Sequence, residues 1–194
     1  MTTQIVILGG NGYLGRELTK LWLQKDALAD FWILSRSGKN QLVDPRIHNR
    51  AVDLTDFEAV KQVLPAEFDY IVDLIGRPEK SPALSTQVND QPAQLMRKLA
   101  ETAHCQAMGF VGGQLGPKAF LKTKADLIQY LQQSDVPLAY VEPTLVYGAG
   151  RQDTMMKMVP LLTFLGRFSA KLKPVAVEVV VNQLYTQLMQ LGHD

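Results

Sequence analysis

Three glycines spaced three apart, Gly9, Gly12 and Gly15, constrain this chain more than any other feature, because of what stands on either side of them. An apolar run, Ile5 to Leu8, leads straight into them. Leu14, Leu18, Leu21 and Trp22 then recur at helical spacing. The pattern predicts a buried strand, a tight turn and the opening of a helix, the order that a dinucleotide-binding unit requires. A helix N-terminus leaves backbone N–H groups unpaired and carries partial positive charge, and a pyrophosphate satisfies both. The turn therefore points to a bound dinucleotide.

Strand-like and helix-like stretches alternate along the rest of the chain. Strands are expected at Phe31–Leu34, near Ile47 to Val52, at Tyr70–Ile75 ending at Gly76, at Gly109–Val111 and at Pro137–Val141. Helical patterns fall between them, one of them running to about His104 with Pro92 in its first turn or at a kink, another from Pro117 to Gln133. Thr55 to Glu58 reads as a capping box, with Thr55 placed as the cap and Glu58 reaching back. Short strands separated by helices imply parallel crossovers with helices on both faces of the sheet, and the right-handed crossover rule makes the sheet doubly wound. The expected fold is α/β: a single doubly wound Rossmann domain, with a cofactor-binding core over residues 1–150 and a short C-terminal substrate-side cap over 151–194.

Composition narrows the function. Of 194 residues, 46% are hydrophobic and 20% charged, as in an ordinary soluble globular protein, and a net charge of +1 gives no electrostatic case for nucleic acid. The lone Cys105 points to a reducing compartment. No apolar run approaches the ~20 residues of a membrane span, and no leader pattern opens the chain, so a cytoplasmic location is expected. Three histidines, at 48, 104 and 193, with one cysteine give no zinc-ligand spacing, so no metal is expected.

The end of the second strand bears on which dinucleotide is held. NAD binders place an acidic residue about 20 residues beyond the glycine loop, on the ribose hydroxyl. Here the chain reads Ser35-Arg36. A guanidinium suits a 2′-phosphate, which favours NADP over NAD, although Arg36 also reads as a solvated loop cation. Asp53-Leu54 puts a carboxylate either near the adenine amino group or in a strand-end turn. Ile75 and Gly76 lie where ligands sit, at the carboxyl end of a parallel strand.

Taken together, Gly-Gly-Asn-Gly-Tyr-Leu-Gly over 9–15, Ser35-Arg36, Val52 to Leu54, Asp73 to Gly76, Val88-Asn89 and Pro143 to Gly148 resemble the short-chain dehydrogenase/reductase superfamily. The resemblance covers about the first 150 residues and is strongest to its extended and atypical members, the NAD-dependent epimerase/dehydratase-like and NmrA-like proteins. It implies cofactor contacts at Gly9, Gly12, Tyr13, Leu14, Gly15, Ser35, Arg36, Asp53, Leu54, Ile75, Gly76, Asn89, Lys124, Pro143, Thr144 and Leu145. It also implies a catalytic Tyr acting as general acid/base, a Lys four residues later that lowers its pKa, and a Ser on the preceding strand. Lys124 is in register with that Lys. The Tyr position, however, is Phe120, and Gly112-Gly113 stands where the Ser is expected.

Those departures break the link to alcohol/ketone chemistry. The resemblance leaves three readings: an NADP-binding or cofactor-sensing protein, an NAD(P)H-dependent reductase passing hydride directly to a flavin- or quinone-like acceptor, and a sugar-nucleotide epimerase or dehydratase. The partner would be a small molecule or small protein. The Met-rich apolar segment 153–168 fits core packing, a pocket lining or a homodimer interface.

Overall fold

The computed structural model describes residues 2–152, 154–167, 169 and 172–192. Six parallel strands form one sheet: β1 (Thr3–Leu8), β2 (Ala29–Ser35), β3 (Ile47–Ala51), β4 (Tyr70–Asp73), β5 (Ala107–Val111) and β6 (Leu138–Val141). Their spatial order is β3-β2-β1-β4-β5-β6, so the order reverses direction between β1 and β4. That reversal opens a crevice at the carboxyl ends of the strands.

The helices are α1 (Tyr13–Lys25), α2 (Phe57–Gln62), α3 (Pro82–Ser85), α4 (Gln91–Ala103), α5 (Lys118–Leu131), α6 (Val159–Leu165) and α7 (Val177–Leu191). Alternation along β1 divides the interior. Ile5 and Ile7 point to one face, with Trp22 of α1 and Val180, Val181, Leu184 and Leu188 of α7. Val6 and Leu8 point to the other, with Val60 of α2, Met96 and Leu99 of α4, and Leu127, Ile128 and Leu131 of α5. Trp22 ties the first layer together, its ring edge-on to Phe31 at 6.1 Å and to Tyr185 of α7 at 5.2 Å.

The glycine turn behaves as its spacing predicts, with separate roles for its members. Gly9 has φ +79°, a left-handed conformation. Gly15 is buried where α1 crosses the turn, and a Cβ on it would stand 2.5 Å from Gly10 Cα. Its task is close packing of helix on turn.

Several element ends differ from the expected ones, each for a local reason. The Thr55–Glu58 capping box does not form: both the N–H and the hydroxyl of Thr55 bond Asp53 Oδ1, so Asp56 becomes the cap and accepts from Ala59 N–H at 3.0 Å. Strand β4 stops at Asp73, before Ile75, because Asp73 Oδ1 accepts the Ile75 N–H at 2.9 Å and turns the chain. Before Pro92, in the first turn of α4, the helix carries a π-helical turn over Thr86–Asp90. His104, at φ +50°, ends α4.

The segment after Gly150 divides. A 3₁₀ turn (Thr154–Met158) and α6 lie outside the sheet layers. Strand β7 (Val146–Tyr147) pairs with β8 (Val175–Ala176), and α7 then returns to cover the sheet. Core packing does not account for α6 as a whole: Leu162 is buried, whereas Met158, Leu161 and Phe164 are exposed. Asp153 and Phe168 lie outside the described residues.

Candidate functional site

Two hollows meet at the sheet's topological switch. The larger, about 570 Å³, is floored by Gly9, Asn11 and Gly12 and walled by Leu34, Ser35, Arg36, Asp53 and Leu54 on one side and Ile75, Gly76 and Arg77 on the other. The smaller, about 230 Å³, shares Leu74, Ile75 and Gly76 as a wall and runs past Leu14, Gly112, Gly113, Phe120 and Lys124 to Pro143, Thr144 and Leu145. The two form an elongated site across the glycine turn, with the Leu74–Gly76 turn between them.

The donor set suits an anion at the turn. Helix α1 starts at Tyr13 with Gly12 as its cap, a residue that has no side chain with which to cap the first turn. The positive end of such a helix suits phosphate oxygens. The residues therefore fit a dinucleotide. Arg36 is exposed at the end of β2 within the same hollow. Ser35 Oγ accepts the Gly38 N–H at 3.0 Å and shapes the loop that carries Arg36. Asp53 combines its two expected uses: it lines the hollow and also holds a strand-end turn, where the Thr55 N–H and hydroxyl keep its carboxyl below the usual range.

Three other sequence-derived positions, Tyr13, Gly15 and Asn89, are not among the residues that line the two hollows. Tyr13 does not line either hollow; its hydroxyl donates to Gly148 O at 3.0 Å, and the Arg151 guanidinium lies 5.1 Å from its ring. Gly15 is packed beneath the turn. Asn89 is fully buried, accepts the Arg77 N–H and donates to Arg77 O, both at 3.1 Å. Its neighbours Gln87 and Val88 line the larger hollow instead.

Lys124 is 4% exposed. Its Nζ donates to Ile75 O at 3.3 Å and lies 4.4 Å from the Phe110 ring and 5.9 Å from that of Phe120. Burial pushes its pKa down, against the pull of Asp73 and Asp90. Phe120 is half-buried on the wall of the smaller hollow. Gly112 and Gly113 face the same space, so neither motif position offers a hydroxyl.

Sequence reading missed Asp73 as a site residue. It is completely buried, and burial raises its carboxyl to about 7, although Lys124 and the Ile75 N–H both favour the ionised form. The signal was an acid at the end of an apolar strand, a position that cannot be solvated once helices cover both faces of the sheet. Cys105 is buried and its thiol is pushed up to about 12, which leaves it unreactive. Among the described residues no cluster of potential ligands could hold a metal ion, and no helix is long and apolar enough to cross a membrane.

A family model of the NAD dependent epimerase/dehydratase family matches residues 5–123, from β1 into α5. This chain belongs to that family. The match covers the glycine turn, the lining of the larger hollow and the Phe120 position, and ends one residue before Lys124. A search of curated proteins found no match. Many solved structures share the fold. Bordetella bronchiseptica WbmH, in complex with NAD+, is 14% identical with a TM-score of 0.72, covering 97% of this chain and 73% of that one. A UDP-glucose 4-epimerase is 16% identical with a TM-score of 0.77, over 98% and 74%. ElxO with NADP bound is 15% identical with a TM-score of 0.72, over 97% and 92%. At these identities the likeness is one of fold.

Proposed function

We propose that this family member binds NADP across the two hollows and does so without hydroxyl-assisted proton transfer, as a cofactor-responsive binding protein. The observation that carries the reading is the joint one. An uncapped helix N-terminus at the switch point opens towards Arg36 on one side and towards a space with Phe120 in place of a Tyr on the other. Solved relatives of the fold hold NAD+ or NADP, which supports the cofactor class.

The chain's own groups have distinct tasks in this reading. The first N–H groups of α1 receive the pyrophosphate. Arg36 supplies a guanidinium to a 2′-phosphate, and Asp53 offers an acceptor at the same end. Ile75 and Gly76 form the wall against which the cofactor lies, and Lys124 offers a donor at the far end, where Thr144, its hydroxyl donated to Lys173 O, keeps an acceptor oxygen. A nicotinamide, when bound, would supply or accept a hydride. The chain places no ionisable hydroxyl beside it at 112, 113 or 120, so an acceptor needing an acid from the family's Tyr position finds none.

The walls of the smaller hollow favour a second reading. Leu14, Leu74, Val111, Leu115 and Phe120 give it apolar side chains alongside the polar Lys124, Thr144 and Arg151. A ring that takes protons from solvent, such as a flavin or quinone, finds apolar side chains to lie against there and needs no acid from position 120.

The test is titration with NADPH and NADH, followed by a panel of flavins, quinones and nucleotide sugars with NADPH absorbance as the readout. Tight NADPH binding without turnover supports the binding-protein reading. NADPH oxidation by a flavin or quinone replaces it with the reductase. Conversion of a nucleotide sugar overturns both in favour of an epimerase or dehydratase, and failure to bind either cofactor overturns the cofactor assignment itself.

A further inference from the structure

Three buried polar side chains converge on one short turn. Asp73 at the end of β4, Asn89 in the π-helical turn and Lys124 of α5 are 0%, 0% and 4% exposed. Asp73 Oδ1 takes the N–H of Ile75, and Lys124 Nζ donates to the C=O of the same residue. Asn89 holds both the N–H and the C=O of Arg77. Between them, Gly76 lies so close that a Cβ there would stand 2.6 Å from Lys124 Nζ and 2.8 Å from Asn89 Oδ1. The turn gripped in this way contributes to the walls of both hollows.

We infer that Asp73, Asn89 and Lys124 act as one buried clamp on the Ile75–Arg77 turn, and that Asp73 is the positioning residue whose proton sets how well the turn receives the dinucleotide. The inference rests on the proposed cofactor binding and adds a control point to it.

The second carboxylate oxygen of Asp73 has no hydrogen-bond partner among the described residues. Leu8 of β1 and Phe110 of β5 are its register neighbours in the sheet, and neither can solvate a charge. The charged group from α5 is Lys124, and Lys124 in turn feels Asp90 from the π-helical turn. A carboxyl held near 7 in this setting changes state around neutral pH. The ionised form makes a charge-assisted bond to the Ile75 N–H and steadies the Lys124 ammonium. The neutral form does both less well. The sign follows: the grip on the turn tightens as pH rises through neutrality, and cofactor affinity rises with it.

Asp73→Asn keeps an acceptor for the Ile75 N–H and removes the proton. NADPH affinity is measured for both proteins across pH 5.5–8.5, their ratio cancelling the titration of the cofactor's own phosphate. The ratio should favour the native protein increasingly with pH, by at least about fivefold from end to end, the lower range of couplings between two bound species. A constant ratio means that Asp73 is structural only and overturns the inference. A second measurement needs no cofactor: carboxyl ¹³C NMR of aspartate-labelled protein should show one resonance titrating near neutrality. It should be absent from Asp73→Asn and displaced to higher pH in Lys124→Met. If no aspartate titrates there, the clamp lacks its switch. A titrating carboxyl in a protein that binds no dinucleotide would instead leave the clamp standing and remove the cofactor reading.

Discussion

At the scale of single residues, charge and burial decide what each group does. Arg36 is exposed and lines the cleft, so its replacement should affect binding and leave folding alone. A lost charge-assisted contact to a 2′-phosphate is typically ~1.5–3 kcal/mol. Arg36→Ala should therefore weaken NADPH by roughly 10- to 100-fold and NADH hardly at all. Parallel titrations of the two cofactors check it, and equal losses would exclude a 2′-phosphate contact. Phe120→Tyr puts a hydroxyl back on the wall of the smaller hollow, near a lysine whose ammonium is disfavoured by burial. It should not create ketone reduction, because Gly112-Gly113 still lacks the Ser hydroxyl that the family's chemistry uses beside the Tyr. Steady-state assays of NADPH oxidation with simple ketones measure this directly.

At the scale of elements, the decisive contact is α1 against the glycine turn. Gly15 faces the backbone of Gly10, which cannot rotate away as a side chain could. Gly15→Ala gains helix propensity of roughly 1 kcal/mol, yet the added methyl meets Gly10 Cα at 2.5 Å and must push helix and turn apart. Overpacking of this kind costs ~1–3 kcal/mol or more. The variant should lower the thermal midpoint and weaken NADPH together, since the same displacement moves the α1 N–H groups. Calorimetry alongside titration would show it; a stabilised protein with normal affinity would contradict the packing role. Strand β4 carries the complementary lesson. Its last residue, Asp73, stays in the strand while its side chain takes the Ile75 N–H, and so shapes the turn that separates the hollows.

At the scale of the whole molecule, a buried carboxyl raised from 3.8 to about 7 makes stability depend on pH. The folded state holds this proton more tightly than the unfolded chain, so the contribution is complete below the unfolded pKa and is lost as pH rises through the folded one. The loss spans the interval from about 4 to about 7. Asp73→Asn abolishes it. Urea unfolding should show the variant's stability relative to the native protein increasing from pH 5 to pH 8, the sign opposite to its effect on cofactor affinity. Saturating NADPH should also protect the fold by mass action. At a hundredfold excess over the dissociation constant the gain is ~2.7 kcal/mol, a rise in the thermal midpoint of roughly 5–10 °C for a chain of this size.

The alternation of apolar strands with helical periods determined, by itself, the doubly wound parallel sheet and the place of the glycine turn. Period and glycine spacing are local properties, and the crossover rule converts their order into topology. Register with the family motif likewise exposed Phe120 and Gly112-Gly113. Only the tertiary structure separated cradle from support. Gly9 and Gly12 line the cleft while Gly15 packs beneath it, and Asn89 holds the turn while Gln87 and Val88 face the hollow. The buried state of Lys124 and the neutral-range carboxyl of Asp73 were equally hidden. Their behaviour comes from desolvation and from each other, across a sequence separation of 51. A sequence displays which groups can ionise, but the dielectric around them exists only once β4, β5, α4 and α5 have closed over one another.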